Sequence, residues 1–184
     1  MPKRTDTRQR MLRTAAELFR SQGYHATGLN QVLTEGAAPK GSLYFHFPGG
    51  KEQLAVEAVA LAGNDLRDAL AAVLAAEPDP VKALSQALEL LGADLLASDF
   101  RRGCPIATVA LDAAADSEPI RSACEQAYSS WHTVIAAHVG DQDLATVVLA
   151  AIEGALLLAR TRRSLTPLHT VGAHLGVLLG RPGS

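Results

Sequence analysis

Apolar positions recur along this chain at three- and four-residue intervals almost from end to end, and no stretch keeps the two-residue alternation of a half-buried strand. The pattern predicts an all-α protein. A first helix over about residues 7–22 places Leu12, Ala15, Ala16 and Phe19 on one stripe, widened by Met11 and Leu18. Arg8, Arg10, Arg13 and Glu17 fall mostly off that stripe, and Gly23 is a suitable stop. A short helix over about 29–35 follows, with Thr27 as its expected cap and Leu29, Val32 and Leu33 facing inward. Gly36-Ala37-Ala38 then breaks the chain. Pro39 suits the first turn of a third helix that runs to about Phe47, where Pro48-Gly49-Gly50 ends it.

The second part of the chain reads the same way with longer periods. A helix rich in Ala and Leu spans about 51–75, and Asp79-Pro80 then forms an N-cap and first-turn proline for a helix to about 97. After a polar break at 98–103, Cys104-Pro105 opens a helix to about 115, and Ser117-Glu118-Pro119 opens the next, to about 139. The most apolar helix covers 143–163. Thr166-Pro167 caps the last, to about 179, and the tail 181–184 is expected to fray. That makes about nine helices: a three-helix head over residues 1–50 and a body over 51–184, whose first helix, 51–75, is the connector.

Charge divides along the same line. Residues 1–54 hold eight basic and four acidic side chains, a net of +4, whereas the remainder holds nine against fifteen, a net of −6. A cationic head on an anionic body suits a protein that offers DNA one end only, although charge of this size also arises by chance clustering on a solvated surface. Two cysteines, Cys104 and Cys124, give neither a disulfide framework nor a CxxC zinc spacing. The basic start is not followed by an apolar signal core, and the longest apolar stretch, residues 147–159, is interrupted by Glu153 and too short to cross a bilayer. The expectation is a cytoplasmic protein without a membrane partner.

The segment from Thr27 to Leu54 carries the most information. Two short helices joined by a small-residue turn, behind an amphipathic support helix, follow the helix-turn-helix plan. In the second of them Leu43, Phe45 and Phe47 read mainly as core, while Lys40, Ser42, Tyr44 and His46 can project outward. Gly41 keeps the backbone slim for close approach to a duplex. The run Lys40-Gly41-Ser42-Leu43-Tyr44-Phe45-His46-Phe47, followed by Lys51-Glu52-Gln53-Leu54, resembles the recognition segment of the TetR family of repressors. The support helix fits too, through Met11-Leu12, Ala15-Ala16, Leu18-Phe19 and Gly23-Tyr24. Most members of that family place the lysine four residues after the histidine; here His46 and Lys51 are five apart. The extra residue in Pro48-Gly49-Gly50, with Ala38-Pro39-Lys40-Gly41-Ser42 and Arg102-Gly103-Cys104-Pro105, resembles the LmrA/YxaF-like subgroup.

The resemblance implies roles for particular residues. Thr27 would hold a phosphate, Lys40, Gly41 and Ser42 would approach base edges, and Tyr44, His46 and Lys51 would grip the flanking backbone. Tyr44 and His46 have packing between the head helices as their alternative. The family pairs its last two helices with their copies, so the resemblance implies a homodimer on a palindromic operator of double-stranded DNA. It also implies a pocket for a small, largely apolar effector among the body helices. Phe100, Cys104, Tyr128, Trp131, His132 and Glu153 are the rare large or polar side chains there. Each has a plainer reading, Trp131 as core and Glu153 as an interface or solvent-facing residue among them.

Cys104, expected at a helix start behind Arg101 and Arg102, allows an alternative in which a lowered thiol pKa makes the protein a DNA-binding redox sensor. A helical adaptor or enzyme without DNA binding is the other alternative. Gly49-Gly50-Lys51 lacks the first glycine of a phosphate loop and its following Ser or Thr. There is no HExxH, no pair of histidines at i, i+4 and no GxSxG elbow. Neither a metal, a cofactor nor catalysis is expected.

Overall fold

The computed structural model describes residues 4–180, with side chains from Asp6 onward; the tail expected to fray lies outside them. Among the described residues there are nine helices: α1 (Arg4–Gln22), α2 (Leu29–Glu35), α3 (Ser42–His46), α4 (Gly50–Ala76), α5 (Pro80–Ala97), α6 (Ala107–Ala113), α7 (Glu118–Val139), α8 (Gln142–Arg162) and α9 (Thr166–Leu179). The expected all-α class and helix order are present. Several ends differ for local reasons. The third helix begins at Ser42 rather than Pro39, because Gly41 sits at φ +89°, a left-handed conformation that interrupts the helix before it starts. Thr27 does not cap α2; Gly28 occupies that position, and the Thr27 hydroxyl is buried and donates to the Gly23 carbonyl at 2.7 Å. The helix expected from Cys104 starts three residues later, at Ala107. The last helix is preceded by Leu165 instead of being capped by Thr166, whose amide is held by the Ser164 hydroxyl. The Asp79-Pro80 start is as expected: the Asp79 carboxylate accepts from the amides of Val81 and Lys82, an arrangement worth about 1 kcal/mol.

The chain forms two compact units. One comprises residues up to Asn64 together with Pro105–Ala127, the other Asp65–Cys104 and the residues from Tyr128 onward. This differs from a linear division at residue 50, and side-chain contacts explain it. In the first unit α6 docks on the end of α1: the Thr108 hydroxyl donates to the Arg20 carbonyl at 3.2 Å, and the His25 ring meets the Asp112 carbonyl at 2.9 Å. Gly23 sits at this junction with φ +91°, a conformation that favours glycine, and a Cβ there would also press on the Asp112 carboxylate at 2.3 Å. Around it Met11, Phe19, Val32, Leu43, Phe47, Leu54 and Ile106 are almost fully buried.

In the second unit α8 packs on α9 and α5, and α5 packs on α9. Val148, Ile152, Ala155, Leu156 and Ala159 of α8 face inward, as do Leu168 and Leu175 of α9. α5 and α9 meet closely because Gly172 lacks a side chain; a Cβ there would lie 2.6 Å from Leu88. By length and composition α8 could cross a bilayer, contrary to the shorter stretch judged from sequence, and only about a third of it is buried. Its outer face leaves Val147, Leu157 and Leu158 exposed, and α9 exposes Val177 and Leu178.

Candidate DNA interface and effector cavity

The first unit presents α3 on a braced support. Arg10 of α1 donates from Nε to the Gly36 carbonyl and from Nη2 to the Ala37 carbonyl, which fixes the turn between α2 and α3. Ala37 takes φ +47° there. Arg8 lies over the Phe47 ring, 4.9 Å from its centroid, and pairs with Glu57 of α4. Arg8 and Arg10 counted in the sequence only toward the cationic head; their structural work needs carbonyls and a carboxylate supplied from residues 26 to 49 positions away.

On that support the candidate contact residues separate. Lys40 and Gly41 are exposed, and a Cβ on Gly41 would meet nothing within 4 Å, so open space and a positive φ coincide at the tip. The Ser42 hydroxyl donates to the Pro39 carbonyl at 2.8 Å, which tightens the start of α3. Tyr44 is 63% exposed. His46 is partly buried and meets the Phe45 ring edge-on at 5.0 Å. Two expectations need correction. Phe45 is 62% exposed and lies outside the core that takes Leu43 and Phe47, since a five-residue helix has only one inner face to offer. Thr27 is 1% exposed, its hydroxyl committed to Gly23 and receiving a bond from Gln22, so its side chain does not offer a phosphate contact. Lys51 is tethered as well: its ammonium stands 4.5 Å from the Tyr24 ring centroid and donates to the His25 carbonyl at 3.4 Å. Burial lowers its pKa, and burial together with the charge of Glu52 raises that of Tyr24.

The second unit contains an apolar cavity among the ends of α4, α5, α7, α8 and α9. Leu66, Leu70 and Leu74 line it from α4, Leu84 and Leu91 from α5, Trp131 and Ile135 from α7, and Ile152 and Leu156 from α8. Its only polar lining side chains are His138 and Glu153. Its volume is about 50 Å³, room for a water or two and far below the roughly 300 Å³ of an occupied small-molecule site. Burial pushes the Glu153 pKa up, partly countered by hydrogen bonds that its carboxylate accepts from Cys104 and Tyr128. Tyr128 in turn stacks edge-on against Trp131, with centroids 5.2 Å apart.

The structure thus brings Cys104, Tyr128, Trp131 and Glu153 together and leaves two candidates apart. His132 bonds at 3.0 Å to the Gln142 carbonyl and to the Thr146 hydroxyl, pinning the start of α8. Phe100 lies half-buried in the turn after α5, at φ +58°, and does not line the cavity. His138 was missed by sequence reading. It lies two turns beyond Trp131 on the same face, which was the available signal, and its buried Nε2 has no hydrogen-bond partner.

These surfaces have counterparts in known proteins. Residues 11–58 match the model of the bacterial regulatory proteins of the tetR family, and residues 80–174 match that of the LmrA/YxaF-like C-terminal domain of transcriptional regulators. The chain belongs to the TetR family. Within it, the chain is 39% identical to the HTH-type transcriptional regulator LmrA of Bacillus subtilis, over 96% of this chain and 98% of that one. It is 36% identical to the uncharacterized regulator YxaF of the same organism over the full length of both. In fold it is similar to a TetR transcriptional regulator from Chloroflexus aurantiacus, with a TM-score of 0.78 at 28% identity over 96% of each chain. It is also similar to reduced NemR of E. coli, with a TM-score of 0.84 at 22% identity over 97% of this chain and all of that one. This TetR-family protein is therefore a DNA-binding transcriptional regulator of the LmrA-like kind, and the family is not an enzyme family.

The position of Cys104 disfavours redox switching. It precedes α6 by three residues, is 5% exposed, and donates to a carboxylate, a neighbour that opposes a thiolate. Arg102 pairs with Asp94 at 2.8 Å. Cys124 is equally unsuited, its pKa pushed up to about 11 by burial.

Proposed function

We propose that this regulator is a repressor that binds a palindromic operator as a homodimer and leaves it when a small, largely apolar effector enters the cavity beside Trp131. Residues 1–50, with Lys51 at the start of α4, supply the DNA-contacting surface, and the rest of residues 51–184 the effector and dimer functions. Lys40, Gly41, Ser42 and the exposed ring of Phe45 approach base edges, the ring being suited to a thymine methyl. Tyr44, His46 and Lys51 contact the flanking phosphates. The protein works in the cytoplasm with its DNA, both cysteines remaining thiols.

The exposed apolar seams support the dimer. On α8, Val147, Ala150, Gly154, Leu157 and Thr161 are exposed at intervals of three and four; on α9, Thr166, Thr170, Ala173 and Val177 repeat the spacing. Two adjacent helices with such outward seams suit a four-helix contact with their copies. The two recognition helices then address half-sites about 34–36 Å apart.

The observation that carries the effector reading is that α4 contributes to both a DNA-binding support and the cavity. Its Leu54, Ala58 and Val59 are core residues of the first unit, and its Leu66, Leu70 and Leu74 line the cavity. A ligand larger than the present 50 Å³ displaces the second group, and a continuous helix carries that displacement toward the first. The connection through Cys104 adds a second route, because Glu153 holds Cys104 and the chain runs directly from it into α6. The test is a gel shift on the DNA flanking the protein's own coding region. A palindrome is bound, Lys40→Ala and Tyr44→Ala weaken binding without unfolding the protein, and apolar compounds that quench Trp131 release the DNA. Unchanged affinity in both variants overturns the assignment of α3 as the reading helix.

A further inference from the structure

We infer that the cavity takes a lipophilic cation, a protonated amine on an apolar body, with Glu153 as its counter-ion. This rests on the effector reading and adds the ligand's charge to it. Among the described residues only Glu153 of the lining can carry a negative charge, and no lysine or arginine lines the cavity. An anionic ligand would bring a second negative charge into an apolar enclosure with nothing to balance it. A cation instead supplies what the carboxylate lacks. Glu153 has two hydrogen-bond donors, from Cys104 and Tyr128, but neither carries a charge, so its ionised form is solvated only in part. An ammonium group donating to it forms a charge-assisted bond in a place with little competing water.

The remaining walls set the shape. Trp131 and the leucines of α4 and α5 offer apolar and aromatic surface, and the Trp131 face also attracts a cation passing to Glu153. His138 marks the far end. Its residue lies ten positions along α7 from Tyr128, the partner of Glu153, or about 15 Å at the helical rise. Its buried Nε2 offers a second polar point to a longer ligand.

Trp131 is the only tryptophan in the chain, so its fluorescence reports occupancy without DNA. The probes are 3,3-diphenylpropylamine, 3,3-diphenylpropanol and 3,3-diphenylpropanoic acid, which share one apolar body and differ in charge. At neutral pH the amine is expected to bind at least about tenfold more tightly than the alcohol, and the acid most weakly. In Glu153→Gln, which keeps the side-chain shape, the amine should fall to the level of the alcohol while the alcohol is unchanged. If the wild-type protein binds alcohol or acid as well as the amine, the charge inference is overturned while the effector reading stands. That comparison needs no variant. A preference for the amine that survives Glu153→Gln overturns Glu153 as the counter-ion. If none of the three perturbs Trp131 or releases operator DNA, both readings fall.

Discussion

Phe45 and Phe47 sit two residues apart around the end of one short helix, and truncating each to alanine should give opposite phenotypes. Phe47 is fully buried beneath Arg8. Its removal forfeits the transfer energy of the ring and leaves a cavity, a loss of about 3–5 kcal/mol. At roughly 2–4 °C per kcal/mol for a chain of this size, that lowers the melting temperature by about 6–20 °C. Phe45, at 62% exposure, gives up little on folding, and its truncation should change stability by less than about 0.5 kcal/mol. On DNA the order reverses. Burying a whole Phe side chain is worth about 1.5–3 kcal/mol. With most of the Phe45 ring still uncovered in the protein alone, roughly 1–2 kcal/mol remains to be gained against the duplex. Phe45→Ala should therefore weaken operator binding by about 5–30-fold. The loss should be specific to the operator and leave the salt dependence unchanged, because no phosphate contact goes with it. Thermal melting with a gel shift over a salt series measures all of this. A Phe45→Ala protein that melts more than about 5 °C lower, or binds operator as before, refutes the placement of this ring on the reading face.

Three further outcomes concern residues beyond the DNA-contacting segment. Gly154 lies in the exposed seam of α8 with open space at its Cβ, so Gly154→Trp should leave the fold intact. It should weaken the dimer by at least about tenfold through overpacking, and light scattering that still shows a dimer at low micromolar concentration places the contact elsewhere. The Glu153 pKa is raised in the folded protein, so the fold binds this proton more tightly than the unfolded chain. The stability it contributes is present at acid pH and is lost as pH climbs from about 4.3 through the folded value. The melting temperature of Glu153→Gln should accordingly gain on wild type between pH 4 and 7, and a constant difference across that range contradicts the burial of the carboxylate. Peroxide should leave operator affinity unchanged, since Cys104 and Cys124 are buried, Cys104 donates to the Glu153 carboxylate, and burial pushes the Cys124 thiol up. A loss of binding that dithiothreitol reverses would restore the redox alternative.

Local chemistry in the sequence determined much of this protein. Helix existence followed from three- and four-residue periodicity, and the Asp79-Pro80 start and the glycine stops needed only neighbours a few residues away. The head residues from Lys40 to Lys51 were legible as a contiguous run because a recognition helix is one segment of chain. Where a residue's fate depended on distant groups, sequence gave no answer. Phe45 and Phe47 are the same residue type two positions apart, and only the position of α1 and α4 decides which is buried. Thr27 looked like a cap and a phosphate ligand, yet the loop from Gly23 folds back to claim its hydroxyl. His132 was the candidate and His138 was passed over; the start of α8 takes the ring of the first and leaves the second at the cavity. Burial and hydrogen-bond partnership are properties of several segments at once, and they decide which side chains remain available for chemistry.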